Sequence, residues 1–302
     1  MRLLILCAVV LIAVNAAQYP EYKGKSVLVT GGCQGIGYAT ALKFAEQGAL
    51  VTIVCRNETK GKRAEIRQQK GQAYYVAGDL TKADVAERVV AMAVQRFKSL
   101  DIAVNGAGIS GYMGYMGTFP AEIMESIHDT MHNNWYATFN ALNAEVRHFR
   151  KQMHDACVVN IASANGRSGT PIGSLYGSSK WAIIGLTKSV ALEYIVRKED
   201  DGIPFIRVNA LAPGLVNTPF TWNQAWYMLK GVQPYEGDYD IMDDQDPNWL
   251  QIKDAWISQL PGQRISAPEE QADAILNLCS DRASYVSGSV YDADLGGAAH
   301  HG

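Results

Sequence analysis

Beyond about residue 25 the hydrophobic positions fall into short solid runs separated by longer amphipathic stretches. The runs Ser26–Thr30, Leu50–Cys55, Ala73–Val76, Ile102–Asn105, Cys157–Ile161, Phe205–Leu211 and Ser289–Asp292 have strand length and predict seven strands. Segments such as Val27–Val29 and Val158–Val159 do not alternate polar with apolar, the pattern of strands covered on both faces. The stretches near 36–48, 59–70, 82–98, 121–151, 175–198 and 267–280 have helical spacing. Strand and helix alternate with mostly short connections, which predicts an α/β, doubly wound, mostly parallel sheet with helices on both faces.

Residues 219–265 break this rhythm as a long insertion before the last helix. It holds Trp222, Trp226, Trp249 and Trp256, with Tyr227, Met228, Tyr235, Tyr239 and an acidic stretch from Glu236 to Asp246. A connection of this length suits a substrate loop or lid, and the alternative is simple packing of the aromatics onto the body.

The first 17 residues are a separate piece. Arg2 precedes an unbroken apolar run from Leu3 to Val14, then small residues with Val14 and Ala16 placed for cleavage. This is a secretory signal pattern, and the run is short for a membrane span. Cleavage after Ala16 or Ala17 would export the single domain 18–302, and retention would leave it anchored to a membrane on the luminal side. The 302-residue chain carries a net charge of −3, which argues against nucleic acid as a partner. Cys33, Cys55, Cys157 and Cys279 lack metal-type pairing and read best as free thiols, with one Cys33–Cys55 disulfide left open.

The first strand runs into Thr30-Gly31-Gly32-Cys33-Gln34-Gly35-Ile36-Gly37, and a helix begins at once. Such a turn lets a backbone approach a pyrophosphate closely, and the helix N-terminus offers N–H groups to it. The end of the second strand, where a carboxylate would bind the adenosine ribose, reads Cys55-Arg56. Arg56 there suits a 2′-phosphate and NADP over NAD, and the alternative is a solvated surface arginine. Asn57-Glu58-Thr59 is a glycosylation sequon, and a glycan there would crowd the adenosine end. Tyr176 and Lys180 are one helical turn apart, thirteen residues after Ser163 at the end of the fifth strand, and Asn134 lies within the preceding helix. A tyrosine titrates near 10, and one ammonium about 4 Å away supplies roughly the 4 kcal/mol needed to bring it toward neutrality.

These motifs resemble the short-chain dehydrogenase/reductase family in its standard-length form, over roughly 22–218 and 266–297. The resemblance implies a Rossmann fold and NADP(H)-dependent hydride transfer between nicotinamide and a secondary alcohol or ketone. It makes Tyr176 the general acid/base and Lys180 the residue that holds the nicotinamide ribose and lowers the tyrosine. Ser163 polarises the carbonyl, and Asn134 helps hold a relay water. The cofactor would contact Thr30, Gly31, Gln34, Gly35, Ile36, Gly37, Arg56, Asp79, Leu80, Asn105, Ala107, Gly108, Tyr176, Lys180, Pro213, Gly214, Val216 and Thr218. Gly106 stands where the family has a second asparagine in Asn-Asn-Ala-Gly. The substrate would be a small or medium organic alcohol or carbonyl compound, with steroid-like, retinoid-like, acyl-chain and generic carbonyl classes open; Tyr112, Met113, Tyr115 and Met116 are candidate walls for an apolar one, and the alternative for them is ordinary loop packing. A homodimer or homotetramer is implied through the two long helices. A second reading is a catalytically silent NADP(H)-binding sensor or scaffold. A metal site on His128 and His132 has no third ligand in view, and Ser163 lacks the Gly-x-Ser-x-Gly turn of hydrolases.

Overall fold

The computed structural model describes residues 21–67, 72–195, 204–230 and 247–297. The predicted leader, Tyr235, Tyr239 and the acidic stretch all lie outside the described residues.

Seven strands form one sheet in the order β3-β2-β1-β4-β5-β6-β7. They are β1 Ser26–Thr30, β2 Leu50–Cys55, β3 Gln72–Ala77, β4 Ile102–Asn105, β5 Ala156–Ile161, β6 Ile206–Pro213 and β7 Val290–Ala293. Every pairing is parallel, so the sheet is parallel throughout. β1 lies between β2 and β4, with Thr30 level with Val54 and Asn105. The order therefore reverses at β1, and in such sheets ligands bind beyond the carboxyl ends of the strands at that reversal.

Successive side chains point to opposite faces, and both faces are buried. Val27, Val29, Val51, Ile53, Val104 and Val159 pack beneath α1 (Gly35–Glu46), α2 (Glu58–Arg67) and α9 (Pro268–Cys279). Leu28, Val54, Val76, Ala103, Val158 and Val208 pack beneath α3 (Ala83–Phe97), α5 (Ala137–Gln152) and α6 (Ser174–Tyr194). Phe44 on α1 and Phe149 on α5 are fully buried, one on each side.

The helix predicted over 121–151 is not continuous. A short 3₁₀ turn leads into α4 (Met124–Met131), then a π-turn His132–Tyr136, then α5. The π-turn centres on Asn134, which is fully buried. Such widened turns collect at functional sites, and hydrophobic spacing does not betray them because both flanking helices keep their own period. The insertion contributes α7 (Pro219–Lys230) and α8 (Pro247–Ile257). Among the described residues no helix is long and apolar enough to cross a membrane.

The cysteines divide. Cys33 and Cys55 form a disulfide, which corrects the free-thiol reading for that pair. The turn after β1 brings Cys33 to the end of β2, a neighbourhood created by parallel pairing across 22 residues of separation. Cys157 and Cys279 are free, buried, and 3.5 Å apart at sulfur.

Candidate active site

A cleft of about 1210 Å³ opens at the carboxyl ends of the strands, above the roughly 300–1,000 Å³ usual for small-molecule pockets. One wall is the glycine turn. Gly31 has φ +67°, and a Cβ there would stand 2.6 Å from the Gly106 carbonyl oxygen. At Gly37 a Cβ would collide with the Gly31 carbonyl, so α1 and the turn meet backbone to backbone. The N-cap of α1, Gln34, makes no side-chain cap. The first N–H groups of this helix therefore remain for an anion. This shape and these donors fit a pyrophosphate.

Gly31, Gln34, Gly35, Ile36, Gly37, Asp79, Leu80, Ala107, Gly108, Pro213, Gly214, Val216 and Thr218 all line the cleft. Thr30 and Asn105 do not; they are buried behind the wall. Thr30 Oγ1 accepts the Gly106 N–H at 3.1 Å and donates to Asn105 Oδ1 at 3.4 Å. The Asn105 amide donates to Glu145 Oε2 at 3.0 Å and to Asn160 Oδ1 at 3.1 Å, and Asn160 donates to Thr187 Oγ1 at 2.9 Å. This polar ladder ties the cofactor turn to α6.

Burial pushes the Glu145 carboxyl up to about 7, against the Asn105 hydrogen bond, which favours ionisation. An acid raised in the folded state binds more protons there than when unfolded. Its contribution is therefore lost as pH climbs from about 4.5 through 7. Glu145→Gln keeps an acceptor for Asn105 and removes the charge. It is expected to raise stability by about 3 kcal/mol at pH 8, at ~1.36 kcal/mol per pH unit, and by almost nothing at pH 4.5. Thermal melts at the two pH values check this, and an equal gain at both would contradict it.

At the adenosine end no carboxylate follows β2. Arg56 lines the cleft and donates to Asn133 Oδ1 at 3.0 Å across its mouth. Lys60, in the first turn of α2, also lines the cleft and donates to Gln34 Oε1 at 3.2 Å. The sequence reading missed Lys60. Its one local signal is a cation in a first helical turn, where the dipole disfavours it. Asn57, the sequon residue, accepts the Lys60 N–H at 2.9 Å and so caps α2. Asp79 Oδ1 is taken by the Thr81 N–H and hydroxyl.

Asn134, Ser163, Tyr176 and Lys180 converge on the other end. Tyr176 enters in the first turn of α6, and Lys180 follows one turn later. Both are buried, and both line the cleft with Ser163. Ser163 Oγ accepts the Asn165 N–H at 3.1 Å. Lys180 Nζ donates to the Ile161 carbonyl at 2.9 Å and lies 5.6 Å from the Tyr176 ring centroid. Burial pushes the phenol up to about 12, against the influence of the Ser163 hydroxyl, and pushes the Lys180 ammonium down to about 8. In this state the lysine does not bring the tyrosine toward neutrality, unlike the simple pair of charges at 4 Å. Asn134 sits behind them. Its amide donates to the Ile109 carbonyl and to Ser179 Oγ, both at 2.9 Å, and its Oδ1 accepts the Ile109 N–H at 2.7 Å. Neither N–H of this side chain is left for a relay water.

Phe220 at the start of α7 stands 5.6 Å from the Tyr176 ring, so the insertion does reach the reactive end. The loop Tyr112–Met116 does not line the cleft, which ends on that side at Gly111. Tyr112 packs edge-on against Phe119, and Tyr115 and Met116 are exposed, so this part of the predicted substrate wall is ordinary loop. His132 packs edge-on against Tyr136, and among the described residues no cluster of three metal-binding side chains occurs.

A pyrophosphate cradle and a buried Ser-Tyr-Lys cluster in one cleft of a doubly wound sheet define a nicotinamide-dinucleotide oxidoreductase. The chain belongs to the short-chain dehydrogenase/reductase family, matching the short chain dehydrogenase description over residues 25–226. An uncharacterised oxidoreductase from Thermotoga maritima is 34% identical over 281 residues, spanning 92% of this chain and 99% of that protein. The A-factor type gamma-butyrolactone 1′-reductase (1S-forming) of Streptomyces virginiae is 33% identical, over 89% of this chain and 93% of its own. The crystal structure of levodione reductase superposes with a TM-score of 0.79 at 27% identity, covering 92% of this chain and 99% of the other. The protein is thus a dehydrogenase/reductase acting on hydroxyl or keto groups of small molecules with NAD(H) or NADP(H), and the silent-scaffold alternative gives way.

Proposed function

We propose that the protein is an NADP(H)-dependent reductase of ketones and dehydrogenase of secondary alcohols, with Tyr176 as its general acid/base. The supporting observation is the Ser163–Tyr176–Lys180 cluster at the floor of the cleft that the glycine turn walls. NADPH, when bound, supplies the hydride. Tyr176 gives its phenolic proton to the carbonyl oxygen, and Ser163 orients that oxygen by hydrogen bond. Lys180 holds the cofactor ribose and keeps positive charge beside the phenol. Asn134 is a positioning residue that locks the Ile109 loop to α6.

The NADP preference rests on Arg56 and Lys60 lining an adenosine end whose β2 terminus offers no carboxylate. A fluorescence titration tests it. NADPH is expected to bind at least tenfold more tightly than NADH, and Arg56→Ala to weaken NADPH about tenfold while leaving NADH unchanged, the scale of one charge-assisted contact. Equal affinities in the wild type would refute the preference. Turnover of ketones with the better cofactor tests the reaction itself.

Two further parts belong to this reading. The domain is exported through the secretory route, in keeping with the Leu3–Val14 run and with a disulfide, which persists in oxidising compartments. A mature N-terminus at Ala17 or Gln18 checks this. The domain pairs through α5 and α6, where Phe139, Trp181 and Leu192 are exposed.

A further inference from the structure

The Cys33–Cys55 disulfide lies within the wall of the cofactor cleft. Its two ends differ in rigidity. Cys55 closes β2, which is laced between β1 and β3, and its carbonyl accepts the Gly78 N–H and the Tyr75 hydroxyl. Cys33 belongs to a turn with Gly31, Gly32 and Gly35, of which Gly31 and Gly35 hold positive φ. Glycines have the most backbone freedom to lose on ordering. Beside the disulfide, the Gly32 N–H on the Val54 carbonyl and the Lys60–Gln34 contact tie the turn to the β2–α2 segment. The sulfur bridge therefore lends the rigidity of β2 to the segment that must present α1 to a pyrophosphate.

We propose that Cys33 and Cys55 are positioning residues for the dinucleotide, and that reduction of their bond by a soluble dithiol weakens cofactor binding. The inference rests on the dinucleotide reading of the cleft. A dithiol thiolate attacks one sulfur to form a mixed disulfide, and its second thiolate then displaces the cysteine. Two electrons and two protons end on Cys33 and Cys55 as thiols, and the dithiol leaves as a cyclic disulfide. Both cysteines are half-buried and line the cleft, so the reagent reaches them, whereas Cys157 and Cys279 are buried and already reduced. Freed from the bridge, the turn spends only part of its time in the receptive shape, and the apparent Kd rises by the reciprocal of that fraction. By linkage, bound cofactor must favour the disulfide by the same factor.

The experiment titrates NADPH into the full chain before and after dithiothreitol, and into C33S/C55S. Reduction is expected to raise Kd about three- to tenfold and reoxidation to reverse it. C33S/C55S should start at the weaker value and ignore the dithiol. With a ketone substrate, reduction of the wild type should raise KM for NADPH and leave kcat at saturating NADPH unchanged, a split that general loosening of the fold would not give. Alkylation and mass spectrometry of Cys33 and Cys55 should show more dithiol needed for half-reduction when NADPH is present. An unchanged or lower Kd, or a fall in kcat at saturation, overturns the proposal. Absence of NADPH and NADH binding in both redox states overturns instead the reading of the cleft.

Discussion

Replacing Tyr176 by Phe is expected to lower kcat/KM for ketone reduction about a thousand-fold while leaving NADPH affinity within a factor of two. The ring keeps its place: it is buried in the first turn of α6 and stands against Phe220, and neither contact needs the hydroxyl. What disappears is the proton donor, and a positioned general acid is worth roughly 10²–10⁴ in rate. The direction of the phenol's shift adds a pH test. Pushed up to about 12, Tyr176 remains protonated through the neutral range, the form that reduction requires. Alcohol oxidation needs the phenolate, so its rate should climb with pH, at most about tenfold per unit, while reduction stays flat between pH 6 and 8. Steady-state rates in both directions check this. A Phe variant retaining a tenth of wild-type activity would remove Tyr176 from the chemistry.

Lys180→Met is expected to lose at least a hundred-fold in activity and, at the same time, to make the cofactor-free protein more stable at pH 7. The ammonium is buried, with one hydrogen bond to the Ile161 carbonyl, and burial pushes it down to about 8 from 10.5. Between those two values the unfolded chain holds a proton that the folded one has released, so stability rises with pH there, and the cost of the buried charge is fully present below about pH 8. That cost is about 3 kcal/mol at ~1.36 kcal/mol per pH unit. Methionine fills similar volume without charge, and leaving the Ile161 carbonyl bare takes back about 1 kcal/mol. The net gain of about 2 kcal/mol should raise Tm by several degrees at pH 7 and shrink toward zero or below by pH 10.5. A lower Tm at pH 7 would mean that the ammonium is already stabilised before cofactor binds. Stability given up at a site for the sake of function is a familiar exchange.

The strands and the cluster of Ser163, Tyr176 and Lys180 were legible because each rests on a local signal. Solid apolar runs mark buried parallel strands, and Gly31, Gly35 and Gly37 or Tyr176 and Lys180 announce themselves by fixed spacing along one turn or one helical face. What spacing does not carry is the direction a side chain takes after packing. Thr30 and Asn105 stand beside true cleft residues in sequence, yet strand pleat turns them inward, Thr30 to Asn105 and Asn105 to Glu145 and Asn160. Tyr112–Met116 look like substrate wall by composition, but the cleft closes at Gly111.

The sequence by itself determined the alternation of elements, the glycine turn, the missing carboxylate after β2 and the Ser163, Tyr176, Lys180 set, because short-range backbone and side-chain geometry dictates these. Only the tertiary structure decided that Cys33 meets Cys55, that Lys60 joins Arg56 at the adenosine end, and that Asn134 is spent on Ile109 and Ser179. Burial, a property of the whole fold, holds Tyr176 high and Lys180 low, against the simple attraction of two neighbours. Contacts between residues far apart in the chain, and the desolvation that comes with them, exist only once the sheet has brought its strand ends together.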